Sequence, residues 1–295
     1  MFCNRFRFVL CIVAFLCLAC ISSNQIIINF AFICMTRDVN DTITLSDGTQ
    51  RQRYDYNTTE KSLILSSIAI GTMAATFPIT HLLSKVGARH VFLFFGLLSC
   101  FVTALIPFAA ASSFILLLVL RFIQGVAYAS DFTTIGKICV EWAPLRETSF
   151  FIGFLTVFNI WSSVYTNPVT AWFCESPSYG WQWSFYAHAL SGCVLFTIWW
   201  FVYGDHPSEH WGAIITHPTI IVCWISAFLD ITSCLLLITY APIYFNKVLH
   251  FNVETTGWRT SLGLLYMFVP FYYSRFTRVV RLVFSTSVQD RVLSD

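Results

Sequence analysis

Apolar residues along this chain fall in long runs and do not alternate with polar ones. Arg5 and Arg7 precede a run over residues 6–34, broken only by the polar patch Ser22-Ser23-Asn24-Gln25 and by Asn29. Further runs cover residues 63–83, 91–111, 114–138, 149–173, 181–200 and 219–241. At about 1.5 Å per residue, roughly 20 apolar residues cross the ~30 Å hydrocarbon core of a bilayer as a helix. Each run predicts such a helix. The polar patch and Asn29 are unwelcome against lipid, so they are expected to face other helices or a water-filled cavity. A last run, residues 262–273, is too short unless residues 257–260 join it, and Arg275, Arg278 and Arg281 then stop it. The pattern predicts an all-α, polytopic membrane helix bundle.

The connections between runs assign sides. Residues 84–90 form a tight basic loop and 141–147 a second charged one, which the positive-inside rule places in the cytoplasm with Arg5 and Arg7. Residues 36–60 are polar and carry two glycosylation sequons, at Asn40 and Asn57, usable only on the lumenal or outer side. The C-terminal arginines favour an eighth crossing, with both termini cytoplasmic. Ser112-Ser113 is all that joins the third and fourth spans, which must be antiparallel neighbours. The Asn167-Pro168 step is expected to kink the fifth. Trp181, Trp183, Trp199 and Trp200 bracket the sixth at the two interfaces. A plasma-membrane or intracellular vesicle setting is expected.

Composition agrees with that reading and removes alternatives. Hydrophobic residues are 57% and charged residues 11% of the chain, against roughly 25% charged in soluble domains. The net charge of +2 is scattered over short loops, which gives no footprint for nucleic acid. Of eleven cysteines, Cys17 and Cys20 form a C-x-x-C inside an apolar run and read as buried, inert thiols. Cys34 and Cys174 fall on the outer side and could pair, on a geometry that sequence does not show. The seven histidines have no metal-ligand spacing and read as surface or interfacial groups. No nucleophile, base and orienter set is evident, so no enzyme, metal or cofactor is expected.

Charges inside the spans point to use. One charged side chain near the bilayer centre costs about 2.5–3.5 kcal/mol on insertion scales. The fourth span holds Arg121, Gln124, Gly125, Tyr128 and Asp131 at offsets 0, 3, 4, 7 and 10, which puts them on one side of a helix. Arg121 and Asp131 are about 15 Å apart along the axis, too far to pair. Asp230, in the middle of the seventh span, is the natural counter-charge for Arg121. These residues line a path for a polar solute if Arg121 fixes an anion and Asp131 or Asp230 takes up a proton; otherwise they form a structural network. Asn159 and Gln124 read as helix-to-helix hydrogen-bonding residues or solute contacts.

Arg121-Phe122-Ile123-Gln124-Gly125 followed by Trp142-Ala143-Pro144 resembles the fourth span and next loop of the anion:cation symporters of the major facilitator superfamily. Leu63-Ile64-Leu65-Ser66-Ser67 with Gly71 and Pro78, Gly180-Trp181 with Phe185-Tyr186, Pro242-Ile243-Tyr244-Phe245 and Thr256-Gly257-Trp258 extend the likeness. It covers about residues 5–261. The resemblance implies two six-helix halves, each of inverted three-helix repeats, with a substrate site near the midplane and rocking alternating access. On it, residues 1–203 are the N-terminal half, 204–218 a cytoplasmic linker, 219–261 the start of the second half, and 262–295 a divergent tail.

It implies transport of organic anions or phosphate coupled to protons or sodium, with Arg121, Gln124, Tyr128 and Asn159 as solute contacts. Lys85, Gly87, Arg89, Glu141 and Arg146 would form a cytoplasmic gate. Tyr128 stands where many members carry a glutamate, and Asp230 where glutamate carriers have an arginine, so glutamate does not fit as the substrate. Ser84 replaces a frequent aspartate of the gate loop. Because the likeness ends near Ser261, a chain inactive by itself, or one that regulates and associates with full-length relatives, is also expected. From another class, a seven-span receptor remains the alternative.

Overall fold

In a computed structural model of the protein, the described residues are 3–35, 42–44, 50–52, 54, 56–143, 148–176, 179–204, 239–249 and 251–263. They hold α1 (Cys3–Met35), α2 (Thr58–Val86), α3 (Ala88–Ser112), α4 (Phe114–Trp142), α5 (Thr148–Thr156), α6 (Phe158–Glu175) and α7 (Trp181–Val202). Of these, α1, α2, α3, α4 and α7 are long and apolar enough to cross a membrane. In series, α5 and α6 are almost as long as α4. Each of the first six expected spans therefore coincides with a helix or a helix pair.

Asn40, Arg146, Asp230 and Arg275 lie outside the described residues, as do most of the linker and seventh run. Residues 239–247 and 253–263 are helical.

Local chemistry sets the element ends. Asn57 caps α2: its side-chain oxygen accepts from Thr58 N at 2.6 Å, and Glu60 accepts from Asn57 N at 2.6 Å, closing a capping box. Gly87 joins α2 to α3 at φ 95°, a conformation that costs glycine little and other residues more. Ser113 alone, in extended conformation, separates α3 from α4. Between α1 and α2, β1 (Thr42–Thr44) and β2 (Gln50–Gln52) pair antiparallel with Ile43 opposite Arg51.

The fifth span is interrupted at Val157, while helix α6 runs unbroken through Pro168. Beside the interruption, Thr156 Oγ1 donates to the Ile152 and Gly153 carbonyls, and Ile160 N reaches Val157 O at 3.0 Å. Such side-chain and short-range bonds compete with the regular helical ladder.

The helices pack as two related triplets. α2 lies along α4 as α1 lies along α6; α3 meets α4 as α7 meets α1; and α3 meets α7. Exchanging α1 with α4, α2 with the α5–α6 pair, and α3 with α7 leaves this pattern unchanged. Each exchange reverses chain direction, which is the signature of an inverted three-span repeat.

The α2–α4 seam is close. Buried Ile64, Ile68, Gly71, Ala75, Ile79 and Leu83 recur every three or four residues on α2. A Cβ on Gly71 would meet the Phe122 carbonyl, one on Gly125 the Ile68 carbonyl, and Thr72 Oγ1 donates to Gly125 O at 3.0 Å. Small residues permit this backbone approach. The other face of α2 is apolar and open, with Phe77 84% exposed, a surface suited to lipid and not to water.

Two apolar clusters fill the interior, one toward each end. The first gathers Leu10, Phe92, Phe151, Phe196 and Trp199; the second gathers Phe30, Ile64, Ile106, Leu117 and Phe185. At the hairpin end, a disulfide joins Cys34 of α1 to Cys174 of α6. Tyr54 and Tyr56 are buried there against Trp181 and Phe114, with ring centroids 5.4 and 6.0 Å apart. Cys17 and Cys20 are free and buried, as read from sequence.

Candidate functional site

The polar patch of α1 lands between the two apolar clusters, and the polar residues of α3, α4 and α6 meet it there. Arg121 is 0% exposed. Its Nη1 donates to Gln124 Oε1 at 2.6 Å and its Nη2 to the Gln25 carbonyl at 3.0 Å. Its Nε has no hydrogen-bond partner. Gln124 Nε2 donates in turn to Thr103 Oγ1 at 2.7 Å and to Asn24 O at 3.1 Å, while Asn24 Nδ2 reaches Ser99 Oγ at 3.2 Å. The guanidinium is thus fixed on two nitrogens by neutral acceptors, and no carboxylate pairs with it among the described residues.

A second set of bonds joins α4, α1 and α6. Tyr128 OH donates to Asn159 Oδ1 at 3.0 Å, and Ser22 Oγ donates to the same oxygen at 2.9 Å. Ser22 also bonds Ser162 at 2.9 Å, and Ser23 bonds Thr166 at 2.6 Å. Asn159 lies two residues beyond the Val157 interruption, and its own carbonyl accepts from Ser162 Oγ at 2.6 Å. Asp131 is on the same buried stripe of α4, with both carboxylate oxygens unpartnered.

The bundle end opposite the hairpin holds the residues read as a gate. Arg89, at the start of α3, donates from Nη2 to the Trp200 carbonyl at 2.8 Å and lies 4.3 Å from the Trp200 ring. This puts a cation on the last carbonyls of α7, where the helix dipole favours it. Glu141 pairs with Lys137 at 2.7 Å and accepts from Tyr203 OH at 2.7 Å. Lys85 is exposed on the last turn of α2, and Gly87 forms the α2–α3 turn. Arg89 and Glu141 therefore tie α3 and α4 to the end of α7 at separate places.

Several participants were not singled out from sequence. Asn24, Ser99, Thr103, Ser162 and Thr166 belong to the belt, and only the polar patch of α1 gave a signal. His188 corrects an expectation: it is 0% exposed, with Nδ1 2.7 Å from Ser184 O and its ring 5.0 Å from Tyr165. It falls on the buried stripe of α7 with Trp181, Ser184, Phe185 and Gly192. That three-to-four spacing was available in the sequence. No group of three or more His, Cys, Asp or Glu able to hold a metal occurs among the described residues.

Comparison with known proteins identifies the family. The sequence profile described as Major Facilitator Superfamily matches residues 14–289. The chain belongs to the Major Facilitator Superfamily. The match runs past Ser261, where the motif-level likeness ended. Among curated proteins, the chain is 25% identical to "Sodium-dependent phosphate transport protein 1" of Mus musculus, over 91% of this chain and 64% of that protein. It is 26% identical to "Sodium-dependent phosphate transport protein 3" of Mus musculus, over 74% and 51%. It is also 26% identical to "Probable small intestine urate exporter" of Homo sapiens, over 71% and 47%.

The chain spans about half to two thirds of the length of these curated relatives. Among solved structures, a D-xylose-proton symporter superposes with a TM-score of 0.59 at 14% identity, covering 88% of this chain and 66% of that one. A bacterial homologue of the human lysosomal transporter Spinster, inward-facing and unoccupied, gives 0.59 at 15% identity, covering 86% and 58%. These structural likenesses concern the fold. A superfamily of transporters is a multi-pass membrane family, and a receptor is not favoured.

Proposed function

We propose that this chain is a membrane solute carrier for small organic anions or phosphate, coupled to protons or sodium, with Arg121 as the group that fixes the anion. The observation that carries this reading is a fully buried guanidinium whose bonded partners among the described residues are all neutral and whose Nε–H has no acceptor there. A buried cation without a counter-charge is costly, and an anion offsets that cost. The planar fork of arginine suits phosphate and carboxylate oxygens, and the bonds from Gln124 and Gln25 orient it in advance. Tyr128 and Asn159 supply uncharged polar groups on the same belt. The names of the phosphate and urate relatives support the anion class.

In this reading residues 1–203 form one six-span half and residues 219–261 begin a second. Solute sits near the midplane between halves that rock in alternating access. The hairpin end, with Asn57 exposed, faces the lumen or exterior and is open to glycosylation there; the end with Arg89 faces the cytoplasm. Equilibrium binding of radiolabelled phosphate to the chain in lipid nanodiscs tests the assignment. Saturable binding that is lost in Arg121→Gln and retained in Lys85→Gln is expected. Equal binding by Arg121→Gln would remove Arg121 from the site.

A further inference from the structure

Asp131 is as buried as Arg121 and lies on the same stripe of α4, yet neither of its carboxylate oxygens has a hydrogen-bond partner. Its neighbours on the helix do not supply one. The Ser130 hydroxyl donates to the Ala127 carbonyl, and the Tyr128 hydroxyl donates to Asn159. Thr134, one turn further on, has a buried hydroxyl that is itself unpartnered.

Among the described residues, no cation faces it from the packed elements. Tyr128 on α4 and Cys17 of α1 are its titratable neighbours, and neither is basic. Between Arg7 and Cys34, α1 carries only Cys11, Cys17 and Cys20 as titratable groups. Between Lys61 and His81, α2 carries none; beyond His90, α3 carries only Cys100; α5 carries none, and α6 none before Tyr165. On α4 itself Lys137 is engaged with Glu141, and Arg121 is about 15 Å away along the axis.

An ionised carboxylate buried without a cation or a donor is strongly disfavoured, whereas the acid form is neutral and brings a donor of its own. We propose that Asp131 is a proton-binding site, loaded in the conformation described and emptied when the bundle rearranges to admit water. The exchange is simple acid–base chemistry. One O–H bond forms between a carboxylate oxygen and a proton from the adjoining aqueous phase, and the same bond breaks on release. A hard metal cation in that place needs several oxygen ligands; this stretch of α4 offers the carboxylate and the Thr134 hydroxyl.

The use of this site in coupling rests on the carrier reading; its occupancy by a proton does not. Infrared spectroscopy of the chain in lipid nanodiscs, titrated over pH without phosphate, tests it. A carboxylic-acid C=O band is expected at neutral pH that fades reversibly toward alkaline pH. It should be missing in Asp131→Asn and present at a shifted frequency in Asp131→Glu, both checked for native helicity by circular dichroism. No Asp131-dependent band at neutral pH, or one that never titrates, would overturn the proposal. So would loss of the band on adding sodium at constant pH, which would assign a metal cation. A failure of phosphate binding in a parallel sample would count against the anion reading and leave this result standing.

Discussion

Helix α4 buries two cations, and they are treated differently. Lys137 has the Glu141 carboxylate at 2.7 Å, and Tyr203, which caps the end of α7, holds the other oxygen of that carboxylate at 2.7 Å. Among the described residues, Arg121, four turns away, has the amide oxygen of Gln124 and a backbone carbonyl and no carboxylate. The first arrangement is closed: charge meets charge and the pair ties α4 to α7. In the second, orientation is fixed but the charge is left over. A cation that is positioned and not neutralised is what an anion site requires, so the contrast sets a structural ion pair beside the residue proposed to bind the anion.

The largest effect should come from opening the closed pair. Lys137→Met leaves Glu141 buried without its cation and is expected to lower stability by about 3–5 kcal/mol, measured by reversible denaturation in mixed micelles. Arg121→Met, which removes an uncompensated charge, should change stability by about 1 kcal/mol or less in either direction. If the two variants lost stability equally, the distinction between the sites would collapse.

Tyr203→Phe comes next. It removes a hydrogen bond to a charged group and should cost about 2 kcal/mol in the same assay, while phosphate binding stays at the wild-type level. A fall in binding would mean that the Lys137 end and the Arg121 belt act as one unit. A smaller cost, about 1–2 kcal/mol, is expected for Gly125→Ala, because the added methyl meets the Ile68 carbonyl across the α2–α4 seam. That seam is one of the packings that seat α4 and the face bearing Arg121, so the same variant should also weaken phosphate binding. Unchanged stability would show that the backbones can separate without loss.

Much of this architecture was legible before any coordinates. Runs of about 20 apolar residues fixed the first six spans, because a helix in hydrocarbon has few other ways to satisfy its backbone. The polar patch Ser22–Gln25 had to face inward for the same reason, and the 3.6-residue period put Arg121, Gln124, Tyr128 and Asp131 on one side. What stayed hidden depends on which helices meet. Nothing in the apolar pattern tells α1 to lie against α6, so the Ser22–Asn159 and Ser23–Thr166 bonds are not derivable from it, and the Cys34–Cys174 disulfide is legible only as a possible pair on the outer side. The interruption at Val157 occurs among ordinary helix residues, with no proline or glycine at the break to announce it. His188 is buried because it lies on the three-to-four-residue stripe of α7, a signal that spacing to other metal ligands does not carry.

The central claim is that the charge of Arg121 is held in place and left uncompensated by the described residues of the bundle. Gln124→Glu tests it most directly, since it puts a carboxylate where the Gln124 oxygen now accepts from Arg121 Nη1 at 2.6 Å. Calorimetric titration of phosphate into the nanodisc-embedded chain should then show affinity reduced by about tenfold or more, equivalent to about 1.4 kcal/mol, with stability unchanged or raised. Undiminished phosphate affinity in Gln124→Glu would contradict the account.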